Sequence, residues 1–241
     1  MQQINLADGL VWFDNTLLSE ADIGSVFEPE YWSKLNKVIG SAKGRGTTWF
    51  VQGEQVPMAL RHYRRGGLFG KLVKDQYLFI GWERTRCYEE FMLLKHLRQC
   101  GVNVPRPLGA KANKVGTLFY RADILIELVS GARDLVALLK NSKVEHNVWY
   151  AIGEEIAKMH RAGVCHTDLN AHNILLDGDN QVWLIDFDKC EKREGKNWQQ
   201  GNLDRLLRSF QKEKNKAGIT FNEESHWRWL TEGYSTIQLT Q

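Results

Sequence analysis

His166-Thr167-Asp168-Leu169-Asn170-Ala171-His172-Asn173-Ile174-Leu175-Leu176 and Val182-Trp183-Leu184-Ile185-Asp186-Phe187-Asp188 together decide how this 241-residue chain folds. The first segment runs from a polar loop into an apolar strand, and the second is another apolar strand ending in acids. Between them lies Asp177-Gly178-Asp179-Asn180. Turn residues between two apolar runs predict a β-hairpin. At the open end of a hairpin, the residue before the first strand lies beside the residue after the second. Asn173 and Asp186 are therefore expected to meet, with Asp168 five residues back in the loop. Two oxygen ligands and a further carboxylate are what a hard cation and a hydroxyl acceptor require.

This pattern resembles the catalytic and metal loops of the protein-kinase-like fold, H-R-D-L-x-x-x-N followed by D-F-G. His166, Asp168, Leu169, Asn173, Asp186 and Phe187 match in type and order, while Thr167 replaces the Arg and Asp188 the Gly. The resemblance implies that Asp168 accepts the acceptor's hydroxyl proton, that Asn173 and Asp186 hold Mg²⁺, and that ATP is the donor. It also implies an α+β, two-lobed fold, with a small antiparallel sheet and one main helix in the first lobe and a mainly helical second lobe. One catalytic domain would then span residues 1–241: first lobe 1–126, hinge 127–131, second lobe 132–241.

Composition narrows the class. With 43% hydrophobic and 11% aromatic residues the chain can build a core, which excludes a disordered protein. A net charge of +3 is too small to imply nucleic acid. Cys87, Cys100, Cys165 and Cys190 form no C-x-x-C pair and are expected to be free thiols in a reducing compartment. No apolar run reaches about 18 residues, and the N-terminus lacks a basic-then-apolar signal. A soluble, cytoplasmic protein is expected.

In the first lobe, residues 1–40 read as strand pieces followed by a helix. Gly44 and Gly46 then flank Arg45 ahead of an apolar run, a turn at Gln52-Gly53-Glu54-Gln55 and a strand from Val56 to Tyr63. A glycine pair lets backbone N–H groups approach phosphate, although an ordinary hairpin turn is the commoner meaning. In the kinase-like fold this would be the glycine-rich phosphate cover, and Arg61 stands where that fold carries its phosphate-binding lysine. Either Arg61 takes that role or Lys71 or Lys74 does. Arg61 to Gly67 is the densest basic stretch; it reads either as a solvated loop or, through Arg64 and Arg65, as a site for an anionic acceptor or membrane surface. From Trp82 to Cys100 the pattern is helical, and Glu90 falls near the middle of the apolar face. A carboxylate there needs a partner. By the resemblance that partner is Arg61.

Tyr120 to Val129 alternates and then runs apolar, which reads as a buried strand, and the resemblance makes its end the hinge, where backbone groups of Glu127 and Val129 would bind adenine. Helices are expected over residues 133–139, 146–161 and around 203–210. Residues 212–216 read as a solvated link, and Trp227 to Ile237 as a last helix. His166 is expected to bond backbone rather than act as a base.

Residues 44–51, 60–67, 90–94 and 166–175 together resemble the bacterial lipopolysaccharide-core kinases, a likeness covering roughly residues 35 to 210. That resemblance implies ATP-dependent phosphorylation of a hydroxyl on the 3-deoxy-D-manno-octulosonic acid (Kdo) sugar of a lipid A precursor. It places the protein peripherally at the cytoplasmic face of the inner membrane, against an anionic surface and with no obligate protein partner. Two competing readings are an aminoglycoside- or choline-type phosphotransferase and a nucleotide-binding pseudokinase. The basic stretch opposes the first, and the intact Asp168, Asn173 and Asp186 oppose the second.

Overall fold

A computed structural model describes the chain except residues 45, 67–73, 240 and 241. Arg45, Gly67 and Lys71 therefore lie outside the described residues. The chain divides into two compact units, Met1–Met92 with Arg106–Leu128, and Leu93–Pro105 with Val129–Gln241.

Among the described residues, the first unit is built on one antiparallel sheet of eight strands. Its order is β1 (Gln2–Leu6), β2 (Gly9–Phe13), β7 (Pro107–Val115), β8 (Phe119–Glu127), β5 (Pro57–His62), β4 (Thr47–Gln52) and β3 (Val38–Lys43), with β6 (Tyr77–Leu78) on β8. Strand β2, Gly-Leu-Val-Trp-Phe, is apolar throughout and wholly buried, as a strand enclosed on both faces should be. Val11, Phe13, Phe27, Trp32, Leu60, Leu108 and Leu125 share one core. Helix α1 (Pro29–Lys34) opens on a proline already set to helical φ, and its Trp32 indole donates to Val26 O at 2.8 Å.

The second unit is mainly helical. Helix α2 (Arg86–Gln99) begins in the first unit's chain segment and ends in this one's. It is followed by α3 (Leu135–Asn141), α4 (His146–Arg161), α5 (Gln199–Ala217) and α6 (Arg228–Leu239). Its strands are short. Strand β9 (Arg133–Asp134) precedes α3, and β10 (Val164–Cys165), which leads into the polar loop, pairs with β13 (Glu191–Lys192) beyond it. The hairpin β11 (Ile174–Leu176) with β12 (Val182–Leu184) forms as expected, Ile174 opposite Leu184. Helices α4 and α6 approach closely enough that a Cβ on Gly153 would lie 1.9 Å from Leu230 O, and one on Gly233 2.1 Å from Tyr150 O. All four cysteines are free thiols. Among the described residues no helix is long and apolar enough to cross a membrane.

Three local expectations are corrected. Arg133 and Asp134 lie on β9, which pairs with β11, instead of opening a helix, and Asp134 caps α3 by accepting from Val136 N–H at 2.6 Å. Residues 212–216 are the last turns of α5, not a link; Glu213 there is buried, and the helix stops only at Gly218, whose φ of 66° suits glycine. Residues 93–105, expected in an unbroken first lobe, belong to the second unit. They are tied there by His96 Nε2 on Ala162 O (2.9 Å), by Asn103 N–H on the Glu155 carboxylate and by Leu184 N–H on Asn103 O (3.0 Å).

Candidate active site

In the first unit, Glu90 is 3% exposed, so its charge requires compensation on the spot. Arg61, on β5, donates from Nη2 to both Glu90 oxygens at 2.6 Å, and the Tyr63 hydroxyl donates to Oε2 at 2.5 Å. Burial and the neighbouring Glu90 charge push the Tyr63 phenol well above its ordinary range, keeping it a proton donor. Beside this pair the sequence concealed a column of alternating cations and rings. Arg61 lies 4.9 Å from the Tyr63 ring, Arg86 lies 5.6 Å from Tyr63 and 4.8 Å from Tyr77, and Arg65 lies 5.0 Å from Tyr77.

That column bears on the basic stretch. Arg65 Nε donates to Gln76 O at 2.6 Å and its N–H to Lys74 O at 2.8 Å, so its guanidinium is held within the sheet region. Arg64 is exposed and runs against the glycine turn; a Cβ on Gly46 would meet its Cδ at 2.8 Å. The turn itself closes with Gly44 N–H on Gly46 O at 2.8 Å. The Glu127 N–H is committed to Arg106 O at 2.8 Å, so it is not a donor for an adenine edge. The Val129 carbonyl accepts from Ala132 N–H at 3.4 Å, and no backbone partner for the Val129 N–H occurs among the described residues.

In the second unit, His166 is buried, and desolvation holds its imidazole below the usual histidine range, hence neutral. Its Nε2 donates to Ile185 O at 2.9 Å and its Nδ1 accepts from Asp168 N–H at 3.3 Å. The ring also packs 4.8 Å from Phe187, which is 1% exposed. His166 is thus a clip between the loop and the second strand of the hairpin. It is not a base.

Both Asn170 and Asn173 donate from Nδ2 to Asp168 O at 2.9 Å. Because the Asn173 amide nitrogen is spent there, its Oδ1 points the other way, with no partner among the described residues. Ile185 N–H donates to Asn173 O at 3.0 Å, which seats Asp186 next to Asn173 at the open end of the hairpin. Asp186 has φ of 63°, a left-handed conformation uncommon for a residue with a side chain and frequent at functional sites. One amide oxygen and one carboxylate form a hard donor set suited to Mg²⁺, which keeps water and substrate phosphate as its remaining ligands.

Asp168 itself is 54% exposed, and its Oδ1 accepts from Arg205 Nη1 at 3.0 Å. Arg205 was not foreseen, because a charged residue on a polar helix face carries no signal of its own. It belongs to a line of α5 residues that follows the loop. Asn202 Oδ1 accepts from His166 N–H (3.1 Å), Arg205 takes Asp168, Ser209 Oγ accepts from Ala171 N–H (3.1 Å) and Glu213 approaches His172 Nε2 (3.7 Å). Spacings of three, four and four residues put all of them on one helix face.

Residues 29–234 match the Lipopolysaccharide kinase (Kdo/WaaP) family. Among the chain's relatives is a protein of Photobacterium profundum named 3-deoxy-D-manno-octulosonic acid kinase, 56% identical over 97% of this chain and 98% of its own. Proteins of the same name from Vibrio cholerae and Haemophilus influenzae are 57% and 48% identical, over 93% and 92% of this chain and 95% and 93% of theirs. A solved structure, WaaP in complex with acyl carrier protein, aligns with a TM-score of 0.54 at 14% identity, covering 92% of this chain and 98% of that one, and so shares its fold.

Proposed function

Because the chain belongs to the Lipopolysaccharide kinase (Kdo/WaaP) family, we propose that it transfers the γ-phosphoryl group of ATP to a hydroxyl of a Kdo sugar on a lipid A precursor. The observation that carries this reading is the loop from Asp168 to Asn173. It offers a solvent-open carboxylate on a backbone pinned by two asparagines, beside an amide oxygen and a second carboxylate. Asp168 orients the acceptor hydroxyl and takes its proton. Asn173 and Asp186 would hold Mg²⁺, which supplies charge neutralisation across the phosphates. Arg61, steadied by Glu90 and Tyr63, provides positive charge for the phosphates, and the glycine turn, closed by Gly44 N–H on Gly46 O, offers the Gly46 N–H. Val129 N–H serves the adenine. Arg64 remains the basic residue offered to the acceptor, whereas Arg65 serves the scaffold. The guanidinium of Arg205 beside the acceptor carboxylate disfavours cationic acceptors such as aminoglycosides or choline.

A peripheral position on the cytoplasmic face of the inner membrane is supported by a patch in the first unit. Leu78 and Phe119 pair across β6 and β8, and with Ile80 and Leu118 they expose large apolar side chains. Lys114 sits over the Phe79 and Trp82 rings beside them, an arrangement suited to an anionic bilayer surface. The test is incubation with γ-labelled ATP, Mg²⁺ and three separate acceptors: a Kdo-bearing lipid A precursor, an aminoglycoside and a generic protein. Label should enter the Kdo lipid alone; label in another acceptor, or in none, overturns the proposal.

A further inference from the structure

We infer that Arg205 binds an anionic oxygen group of the acceptor, the carboxylate of its acidic sugar or a phosphate of its lipid part, while holding Asp168 with its other edge. The inference rests on the proposed function and adds the recognition element. Only Nη1 of Arg205 is engaged, on Asp168 Oδ1; Nε and Nη2 have no partner among the described residues. The side chain is half exposed, and the nearest carboxylate on its own helix, Asp204, accepts from Gln200 Nε2 at 2.8 Å. A guanidinium is a planar fork that can serve two oxyanions at once.

Position gives this fork its meaning. Asp168 Oδ2 is the oxygen left for a substrate hydroxyl, so a sugar seated there lies within reach of Arg205. Helix α5 is fixed along the loop by Asn202, Ser209 and Glu213, which makes Arg205 a group on a rigid support. A neutral sugar would leave the unused donors to water. An ulosonic acid, or a phosphorylated lipid carrying it, supplies the missing oxygens. The same contact draws one Asp168 oxygen toward the arginine and leaves the other aimed at the hydroxyl.

The experiment crosses enzyme variants with acceptor variants. Wild type, Arg205→Gln and Arg205→Lys are each assayed on the Kdo-bearing lipid A precursor, on its carboxyl methyl ester and on the precursor stripped of its lipid phosphates. For the intact acceptor, Arg205→Gln should raise KM about tenfold or more, the loss of a charge-assisted hydrogen bond, with KM for ATP unchanged. Arg205→Lys should recover part of it. If the carboxylate is the ligand, the methyl ester is a poor acceptor for wild type and the substitution makes it no worse. If a lipid phosphate is the ligand, the stripped acceptor behaves that way instead. Equal losses on all three acceptors, a change in kcat alone, a raised KM for ATP, or no change at all would each overturn the inference. A wild-type enzyme that phosphorylates none of the three would instead sink the proposed function beneath it. Since the pair is half exposed, Arg205→Gln should fold; if it does not, Arg205→Lys reads the same cross.

Discussion

Two arginine–carboxylate pairs, one in each unit, differ in surroundings more than in chemistry. Arg61 and Glu90 meet at 2.6 Å with side chains 25% and 3% exposed; Arg205 and Asp168 meet at 3.0 Å with side chains 49% and 54% exposed. Burial makes the first pair a structural commitment. Removing Arg61 leaves the buried Glu90 carboxylate without solvent to replace it, and without Glu90 the Tyr63 hydroxyl loses its acceptor. The second pair is open to water, so its mutual attraction is weak. In the proposed function the buried pair supports the phosphates and the open pair faces the acceptor.

The sharpest way to break this contrast is to measure both pairs by denaturant unfolding. Glu90→Ala should cost about 3 kcal/mol, the magnitude for breaking a buried pair, whereas Arg205→Ala should cost less than about 1 kcal/mol. The double variant Arg61→Met with Glu90→Leu should lose clearly less than the sum of its single changes. Equal costs at the two pairs, or strict additivity at the first, would erase the distinction.

A smaller effect is expected from His62, which joins β5 to Asp123 (Nδ1, 2.7 Å) and Asp75 (Nε2, 3.2 Å). The hydrogen bond to Asp123 is the main cause that raises its pKa, with the Asp75 bond adding to it. A raised folded-state pKa means that the contribution is fully present below the unfolded value of about 6.5 and fades as pH climbs through the folded value. Thermal melts of wild type should therefore fall more steeply than those of His62→Gln as pH rises above about 6.5. Parallel curves would remove the charged histidine from the first unit's stability.

Much of this contrast was readable from residue order. The hairpin of β11 and β12 announced itself through turn chemistry between apolar runs, and Glu90 through its place on an apolar helix face, where a lone charge demands a partner. The column of Arg61, Tyr63, Arg86, Tyr77 and Arg65 was not readable, because its members come from three separate stretches, β5 and its end, β6 and the start of α2, that only the fold brings together. Arg65 therefore looked like a free cation for the acceptor. The end of α5 was missed for a related reason. Lys-Glu-Lys-Asn-Lys has the composition of a solvated link, and only the neighbouring loop, through His172, gives buried Glu213 a place.

The most direct test of the whole assignment is Asp168→Asn, with MgATP affinity and phosphoryl transfer to the Kdo-bearing lipid measured on one preparation. In the proposed function Asp168 serves the acceptor hydroxyl and not the nucleotide. MgATP affinity should therefore stay at the wild-type level while turnover falls by about 10²- to 10⁴-fold, the range for loss of a general base. A variant that keeps a tenth of the wild-type rate, or that loses its nucleotide along with its activity, would contradict the role given to Asp168.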